Sequence, residues 1–342
     1  MNAIIDFVKR DTRTTFFTLT LSITLLFFAP WNYTHRSGTS AADLVQRDDP
    51  PGKTKPLHAN GAALDVHTHI ASQALADLMT GGGVLAPGAD DLVAKLDEAH
   101  VKRAVILSGA YFALPDDSNV IPENDYIAAE VGKFPDRLIG FCGINPLFDS
   151  ALAEIDRCLG LPGMVGIKLH LEGSQVDLTD ENHVEKLNAV FDRIAALDAP
   201  VTMHISEPNE LPLSGQSFAN LAAILDAHPT VRVAFAHCAG HADDDAIELW
   251  LRLHNSGYYP ETSFVDVSAC LAFHVDAPLA QRELMVWRFR KWGIDHVLFG
   301  SDYFAFFGET PQETLDILIK YPFTQQELDT ILNNDGSAWL GQ

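Results

Sequence analysis

From residue 63 onward, short apolar runs that read as β-strands alternate with segments that have the period of an amphipathic helix. The strand-like runs span residues 63–70, 103–108, 138–144, 164–171, 201–205, 231–237, 264–269 and 296–299. The eighth helix begins at a capping box formed by Thr310 and Glu313, with Pro311 at the first helical position. Eight strand–helix units in succession predict an α/β fold, a closed parallel (β/α)8 or TIM barrel. An open doubly wound sheet is the alternative, but no Gly-x-Gly-x-x-Gly follows the first strand.

The start of the chain has a different pattern. A basic flank at residues 9–13 precedes an uncharged, mostly apolar stretch at residues 14–34. This combination is typical of an export signal, and the stretch is also long enough to span a bilayer, which takes about 20 residues. We predict a signal peptide or transmembrane anchor over residues 1–34, a flexible linker over residues 35–61 and the barrel domain over residues 62–342. The protein is then expected to be exported, either periplasmic or otherwise extracytoplasmic, or held at the membrane by this segment alone.

The net charge and the cysteine positions limit which binding partners and which structural cross-links we expect for this chain. The chain has 342 residues and a formal net charge of −23 at pH 7. This charge argues against nucleic acid as a partner, because binding phosphates requires a basic surface. The four cysteines are far apart in sequence and form no Cys-x-x-Cys pair, so neither a structural zinc cluster nor a disulfide scaffold is expected. The sequence leaves open whether the chain forms a homo-oligomer.

Ligand-type side chains stand at the carboxyl ends of five predicted strands. Asp65, His67 and His69 share one face of the first strand, because side chains in a strand repeat every two residues. The other ends carry Lys168 and His170 on the fourth strand, His204 on the fifth, His237 on the sixth and Asp302 after the eighth. In a barrel, all strand ends of this kind open onto one mouth. The pattern therefore predicts a metal-binding and catalytic site at that mouth.

The types of these residues suit a catalytic metal. Neutral imidazole and carboxylate are the usual ligands of zinc, and a catalytic site keeps one position open for water. His67, His69, His204 and Asp302 would hold one divalent ion, for which Zn²⁺ is the first choice. Such an ion lowers the pKa of its water to about 7, and Asp302 can accept the proton. His237, beside the ligands, can stabilise a developing oxyanion on a small-molecule substrate.

Five motifs in this order resemble the amidohydrolase superfamily of metal-dependent barrel enzymes, especially its branch called amidohydrolase family 2. The motifs are Asp65-x-His67-x-His69, Gly166-Ile-Lys168, Val201-Thr-Met-His204, His237-x-x-Gly240 and Phe299-Gly-Ser-Asp302. The resemblance covers about residues 63–340 and implies the same four metal ligands, with His237 as the catalytic histidine. The chain departs from the family at Cys238, where an aliphatic residue is frequent, and at Phe304, where a proline is frequent. Both departures lie at the mouth, so no relative's substrate carries over directly.

Lys168 leaves the number of metal ions open. In binuclear members of the superfamily, a lysine on the fourth strand is carboxylated and bridges two ions, and His204 and His237 would then serve the second ion. In the family 2 branch single-ion sites are common, and Lys168, with His170 beside it, would instead face an anionic substrate. The overall pattern resembles that branch, which favours one ion.

Two reactions share this predicted site. The first is hydrolysis of an amide, ester or lactone bond in a small, carboxylated substrate through a metal-activated water. The second is nonoxidative decarboxylation of a small unsaturated or aromatic acid, which the resemblance implies because the branch includes the aminocarboxymuconate-semialdehyde decarboxylase type. A metal-binding module without catalysis is a third interpretation, and the presence of both Asp302 and His237 disfavours it.

Overall fold

The computed structural model describes residues 56–112, 116–206, 213, 215–240, 261–304 and 308–342. Residues 59–342 form one compact unit. The predicted signal or anchor over residues 1–34 and most of the predicted linker lie outside the described residues, as does the helix predicted near residues 243–253. Within the described residues, no helix is both long and apolar enough to cross a bilayer.

A single parallel sheet of nine strands forms the centre of this unit. The strands are β1 (Asp65–His69), β2 (Ala104–Leu107), β3 (Leu138–Gly143), β4 (Met164–His170), β5 (Val201–His204), β6 (Val233–Phe235), β7 (Ser263–Asp266), β8 (Val297–Leu298) and β9 (Tyr303–Phe304). Their order in the sheet is β8-β7-β6-β5-β4-β3-β2-β1-β9. Sequential strands are therefore neighbours, as in a sheet built from repeated strand–helix units.

The two ends of this order belong to one stretch of chain. β8 pairs with β7, and β9, which follows it after residue 302, pairs with β1. Between them, the Val66 N–H donates to the Phe299 carbonyl at 2.9 Å, and the Asp302 N–H donates to the His67 carbonyl at 2.8 Å. The curled parallel sheet is consistent with the predicted TIM barrel. In the part of the chain that the structure describes, the eighth strand is interrupted and continues as a ninth.

Helices follow the strands along the chain. They are α1 (Gln73–Thr80), α2 (Ala89–Glu98), α3 (Val120–Lys133), α4 (Ala151–Leu159), α5 (Glu181–Leu197), α6 (Gly215–Ala227), α7 (Cys270–Phe273), α8 (Leu279–Trp292), α9 (Pro311–Leu318), α10 (Gln325–Asn333) and α11 (Ser337–Leu340). The predicted capping box is confirmed at α9, where Thr310 Oγ1 accepts from the Glu313 N–H at 3.2 Å.

The amino ends of the strands are closed by apolar packing. Trp339 of α11 is fully buried, packs against Phe141 with ring centroids 5.0 Å apart and donates from Nε1 to the carbonyl of Val201 at 3.1 Å. Val201 is the first residue of β5, so this indole lies at the amino end of the sheet. The apolar cluster around it leaves the carboxyl ends of the strands as the place for polar chemistry.

The expectation that the four cysteines form no disulfide scaffold is wrong. The structure pairs Cys142 with Cys158 and Cys238 with Cys270. Sequence spacing misled the prediction because both pairs join elements that only the fold makes neighbours. The first pair links β3 to α4, and the second links the turn after β6 to the start of α7.

Candidate metal centre and active site

The first strand presents two histidines to the mouth with fixed ring orientations. His67 Nδ1 lies 2.9 Å from Asp266 Oδ2, and His69 Nδ1 lies 2.8 Å from the Leu107 carbonyl oxygen. A carboxylate and a carbonyl can only accept, so both rings carry their proton at Nδ1. Each Nε2 then presents a lone pair, and the two Nε2 atoms are 3.2 Å apart.

Asp302 brings a carboxylate to the same point. Its Oδ1 lies 3.2 Å from His67 Nε2 and 3.5 Å from His69 Nε2. The residue has φ of 59°, a left-handed conformation that side-chain-bearing residues rarely adopt and that functional sites often hold. Burial by itself would raise the pKa of Asp302, but the charge of the neighbouring His237 holds that pKa well below its usual range. The carboxylate is therefore charged at neutral pH.

This histidine–aspartate cluster (His67, His69 and Asp302) has the donor set of a divalent metal site. Two imidazole lone pairs and a carboxylate oxygen within 3.2–3.5 Å repel one another unless a cation or a proton lies between them. Burial and the Lys168 charge lower the pKa of His67 well below its ordinary value, which keeps the ring neutral. Neutral imidazole and carboxylate are ligands that zinc and manganese accept. The residues present thus fit a transition-metal ion.

His237 lies beside this cluster. One ligand-type atom from each of His67, His237 and Asp302 can be chosen so that all lie within 4.8 Å of one another. His237 Nδ1 is 3.0 Å from Ser268 Oγ and 3.3 Å from the Ser268 carbonyl oxygen, so its other nitrogen is directed away from these partners. The ring centroids of His237 and His67 are 4.8 Å apart. His237 is therefore placed to act on a molecule held at the cluster.

His204 and His170 stack on the opposite side of the mouth. Their ring centroids are 3.9 Å apart with a 12° angle between planes, and the His204 ring is 4.8 Å from that of His237. His204 Nε2 lies 2.7 Å from Ser206 Oγ. The structure thus places His204 next to His237. His204 does not belong to the group of His67, His237 and Asp302 whose ligand atoms lie within 4.8 Å of one another. Its role as a metal ligand stays a prediction.

Two aromatic residues extend this stack. Tyr111 and Phe112 follow β2, and their ring centroids lie 4.9 Å and 5.5 Å from that of His170. Sequence analysis did not single them out, since nothing in their local pattern separates them from core residues. We call Tyr111, Phe112, His170 and His204 the aromatic wall of the mouth.

Lys168, on β4, is buried. Burial lowers the pKa of its ammonium to about 8, and Asp302 and Asp266 oppose that effect. The side chain therefore keeps most of its positive charge at pH 7, in the electric field of two site carboxylates.

Asp266 and Ser268, at the end of β7, hold the site histidines and were missed by the sequence analysis. Asp266 Oδ1 accepts from the His237 N–H at 3.0 Å, the Ser268 N–H at 3.1 Å and the Ser268 hydroxyl at 2.5 Å. Its other oxygen accepts from His67. Asp266-x-Ser268 has the same two-residue spacing as His67-x-His69, and this was the available signal.

Asp65 ties the two ligand-bearing segments together. Its Oδ1 accepts from the N–H groups of His67 at 3.1 Å and Ser301 at 3.0 Å. Complete burial raises the pKa of Asp65 to about 7, while these hydrogen bonds partly offset the rise. The first residue of the Asp65-x-His67-x-His69 motif is therefore a structural link between β1 and the segment that carries Asp302.

Comparison with known proteins agrees with this architecture. A family model described as Amidohydrolase matches residues 64–334, most of the chain. The chain belongs to the amidohydrolase family, in its family 2 branch, and is an enzyme of this metal-dependent group. No curated protein is similar enough in sequence to count as a match.

Solved structures share the fold at low sequence identity. A probable 2-pyrone-4,6-dicarboxylic acid hydrolase from Acinetobacter baumannii is 17% identical, with a TM-score of 0.60, and the match covers 82% of this chain and 100% of that one. A 2,6-dihydroxybenzoate decarboxylase from Rhizobium is 17% identical, with a TM-score of 0.58 and coverages of 83% and 99%. A manganese-bound 5-carboxyvanillate decarboxylase from Novosphingobium aromaticivorans is 15% identical, with a TM-score of 0.58 and coverages of 83% and 97%. Both hydrolases and decarboxylases therefore share this fold.

Proposed function

We propose that this protein is a metal-dependent hydrolase that cleaves an ester, lactone or amide bond in a small, carboxylated substrate with a planar, unsaturated frame. The observation that carries the proposal is the convergence of His67 Nε2, His69 Nε2 and Asp302 Oδ1 within 3.2–3.5 Å at the mouth. One divalent ion, with Zn²⁺ as the first candidate and Mn²⁺ as the alternative, suits these three donors.

The ligand set that we propose is His67, His69, His204 and Asp302. When bound, the ion supplies a Lewis acid for a substrate oxygen and lowers the pKa of water. The lowered pKa of Asp302 keeps its carboxylate charged at neutral pH, so its oxygens can bind a cation and accept a hydrogen bond, and we propose that the oxygen that does not face the histidines takes up a proton only transiently during turnover. His237 Nδ1 faces the Ser268 carbonyl and hydroxyl oxygens, so a protonated His237 ring would present its Nε2–H to the substrate oxygen that gains charge.

Two features of the mouth support the substrate class. Lys168 supplies a buried positive charge that suits a carboxylate group. The aromatic wall offers stacked ring faces, and planar rings pack well on such faces. The structural neighbours named above act, by their names, on a pyrone dicarboxylic acid, a dihydroxybenzoate and a carboxyvanillate, which are small ring-containing acids.

Decarboxylation of an unsaturated or aromatic acid is the second candidate, because the aromatic wall and Lys168 suit such a substrate equally well. Isotopes separate the two reactions. Purified protein, loaded with Zn²⁺ or Mn²⁺, would be incubated in H₂¹⁸O with carboxylated lactones and with ¹³C-carboxyl hydroxybenzoates. Hydrolysis places ¹⁸O in the product and releases no ¹³CO₂. Release of ¹³CO₂ without ¹⁸O in the organic product would show that the protein is a lyase and would refute the proposed hydrolase.

We also propose that the protein works outside the cytoplasm, directed by residues 1–34. The two disulfides support this, because disulfides persist in oxidising compartments and are rare in the cytosol. Fusion of residues 1–61 to a reporter that is active only after export is expected to give an active reporter, and an inactive one would contradict the proposal.

A further inference from the structure

Two turns at the mouth hold His237. The first runs from His237 to Gly240 after β6, and the second spans residues 267–270 after β7. Cys238, directly after His237, forms a disulfide with Cys270, which is two residues beyond Ser268. The Cα atoms of the two cysteines are 6.0 Å apart. The covalent bond therefore joins the segment that carries the catalytic histidine to the segment that orients it.

The backbone of both turns adopts conformations that need support. His237, Cys238 and Ala239 have φ values of 55°, 59° and 63°, and Ala269 has φ of 52°. Left-handed conformations are unfavourable for residues with a Cβ, and three in succession persist only where the surrounding structure fixes them. Cys238 is one of the three consecutive left-handed residues, and Cys270 directly follows Ala269. The disulfide is thus in the right place to maintain both turns.

Hydrogen bonds between the same turns transmit this geometry to the imidazole. The His237 N–H donates to Asp266 Oδ1 at 3.0 Å, and His237 Nδ1 lies 3.0 Å from Ser268 Oγ. If the turns separated by even a fraction of an ångström, these bonds would lengthen, and the ring would lose its fixed direction toward the cluster.

We propose that the Cys238–Cys270 disulfide is a positioning element for His237, and that its reduction by a small dithiol lowers turnover reversibly. In the reduction, the dithiol loses two electrons and two protons and closes to its own cyclic disulfide, while the S–S bond becomes two thiols. Reoxidation reverses the exchange. The proposal rests on the proposed function, because turnover is one of its readouts.

The second disulfide provides a matched control. Cys142 lies within β3 and Cys158 within α4, so this bond joins a strand to a helix layer, away from the two turns. All four sulfur-bearing side chains are buried. Loss of either disulfide should lower thermal stability, since each closes a loop of the unfolded chain. Only loss of the Cys238–Cys270 bond should change how His237 is held.

The experiment begins with a count of free thiols in protein purified without reductant, and none is expected. Two double variants are then compared, Cys238→Ala/Cys270→Ala and Cys142→Ala/Cys158→Ala. The first is expected to lose kcat by roughly 10- to 100-fold with little change in KM, as small misplacements of catalytic groups do. The second is expected to keep kcat. Equal kcat in both variants, or free thiols at Cys238 and Cys270 in the untreated protein, would overturn the proposal.

If the Cys238→Ala/Cys270→Ala variant does not fold, the same question is tested by reducing the disulfide in protein that is already folded. In the Cys142→Ala/Cys158→Ala background only the mouth disulfide remains, so dithiothreitol followed by its removal in air should lower and then restore kcat. Turnover that dithiothreitol leaves unchanged, while alkylation after denaturation shows that Cys238 and Cys270 had both been reduced, would contradict the positioning role.

A readout without substrate separates this inference from the proposed function. With ¹⁵N-labelled histidine, the His237 ring signals, assigned by their loss in His237→Ala, should shift or broaden when the mouth disulfide is reduced. The same signals should be unaffected in the Cys142→Ala/Cys158→Ala variant before reduction. Absence of turnover with every acid tested would refute the proposed function alone, whereas unchanged His237 signals would refute the positioning disulfide alone.

Discussion

The two sides of the mouth are built in different ways. On one side, the ends of β1 and β7 and the segment after β8 fix His67, His69, Asp266 and Asp302 through hydrogen bonds and charge. On the other side, the ends of β4 and β5 and the residues after β2 meet through stacked rings in the aromatic wall. The first side has directional contacts that hold lone pairs at one point, as ion binding requires. The second side adds flat, less directional ring contacts to local hydrogen bonds such as that of His204 with Ser206, and such ring contacts suit binding of an organic frame.

Loss of a ligand on the hydrogen-bonded side should have the largest effect. His67→Ala removes a buried Nε2 atom whose lone pair would bind the metal ion. The variant is expected to lose both stoichiometric metal binding and turnover. His228→Ala is the control, because His228 is also a buried histidine paired with a carboxylate, Asp192, at 3.0 Å. Metal analysis after dialysis should show metal in the control protein only. Full metal content in His67→Ala would place the ion elsewhere.

The next largest effect is expected for Asp302→Asn. The amide keeps an oxygen for coordination but cannot accept a proton, so turnover should fall by roughly 10²- to 10⁴-fold while metal content changes less. Single-turnover rates and metal analysis on the same samples test this. A variant that loses metal and rate in equal proportion would show that Asp302 acts as a ligand without a proton-transfer role.

Asp266→Asn tests the groups that orient the histidines. Every neighbour of this carboxylate donates a hydrogen bond, so an amide NH₂ meets a donor whichever way it is turned. Loss of such a partner typically costs roughly 10- to 100-fold in metal affinity or activity. Thr202→Val is the control, because none of the described residues forms a hydrogen bond with the buried Thr202 hydroxyl and its loss should change little. Similar metal affinities in the two variants would argue against the orienting role.

The histidine–aspartate cluster and Asp266 show how much of the site could be predicted from the sequence. The period of two identified His67 and His69, and the alternation of strands and helices predicted the parallel sheet whose carboxyl ends bring them near Asp302. The role of Asp266 could not be predicted, because an acidic residue at a strand end has many hydrogen-bonding uses. Its use here depends on where β7 places it relative to β1, a distance of 199 residues in sequence. The pairing of Cys238 with Cys270 depends on the same kind of contact between distant elements.

Lys168→Met tests whether the buried charge of Lys168 binds the carboxylate group of the substrate. Loss of a hydrogen bond to a charged group costs about 1.5–3 kcal/mol, so KM for a carboxylated substrate should rise by roughly 10- to 100-fold. Lys186→Met removes a lysine from the helical layer and should leave KM unchanged. Metal stoichiometry is measured on both variants. A fall from two ions to one in Lys168→Met would instead show that Lys168 is carboxylated and bridges two ions.

The smallest effect is expected on the stacked side. Tyr111→Leu keeps apolar volume but removes the ring that lies 4.9 Å from His170, and an aromatic pair contributes about 0.5–1.5 kcal/mol. KM for a ring-containing acid should therefore rise by roughly 2- to 10-fold, with kcat unchanged, while KM for an open-chain acid of equal charge stays constant. Phe191→Leu is the control, since Phe191 packs against His228 at 5.7 Å in a similar aromatic–histidine pair. If Tyr111→Leu weakened both acids equally, the aromatic wall would not distinguish substrates by shape, and the contrast between the two sides would be one of packing alone.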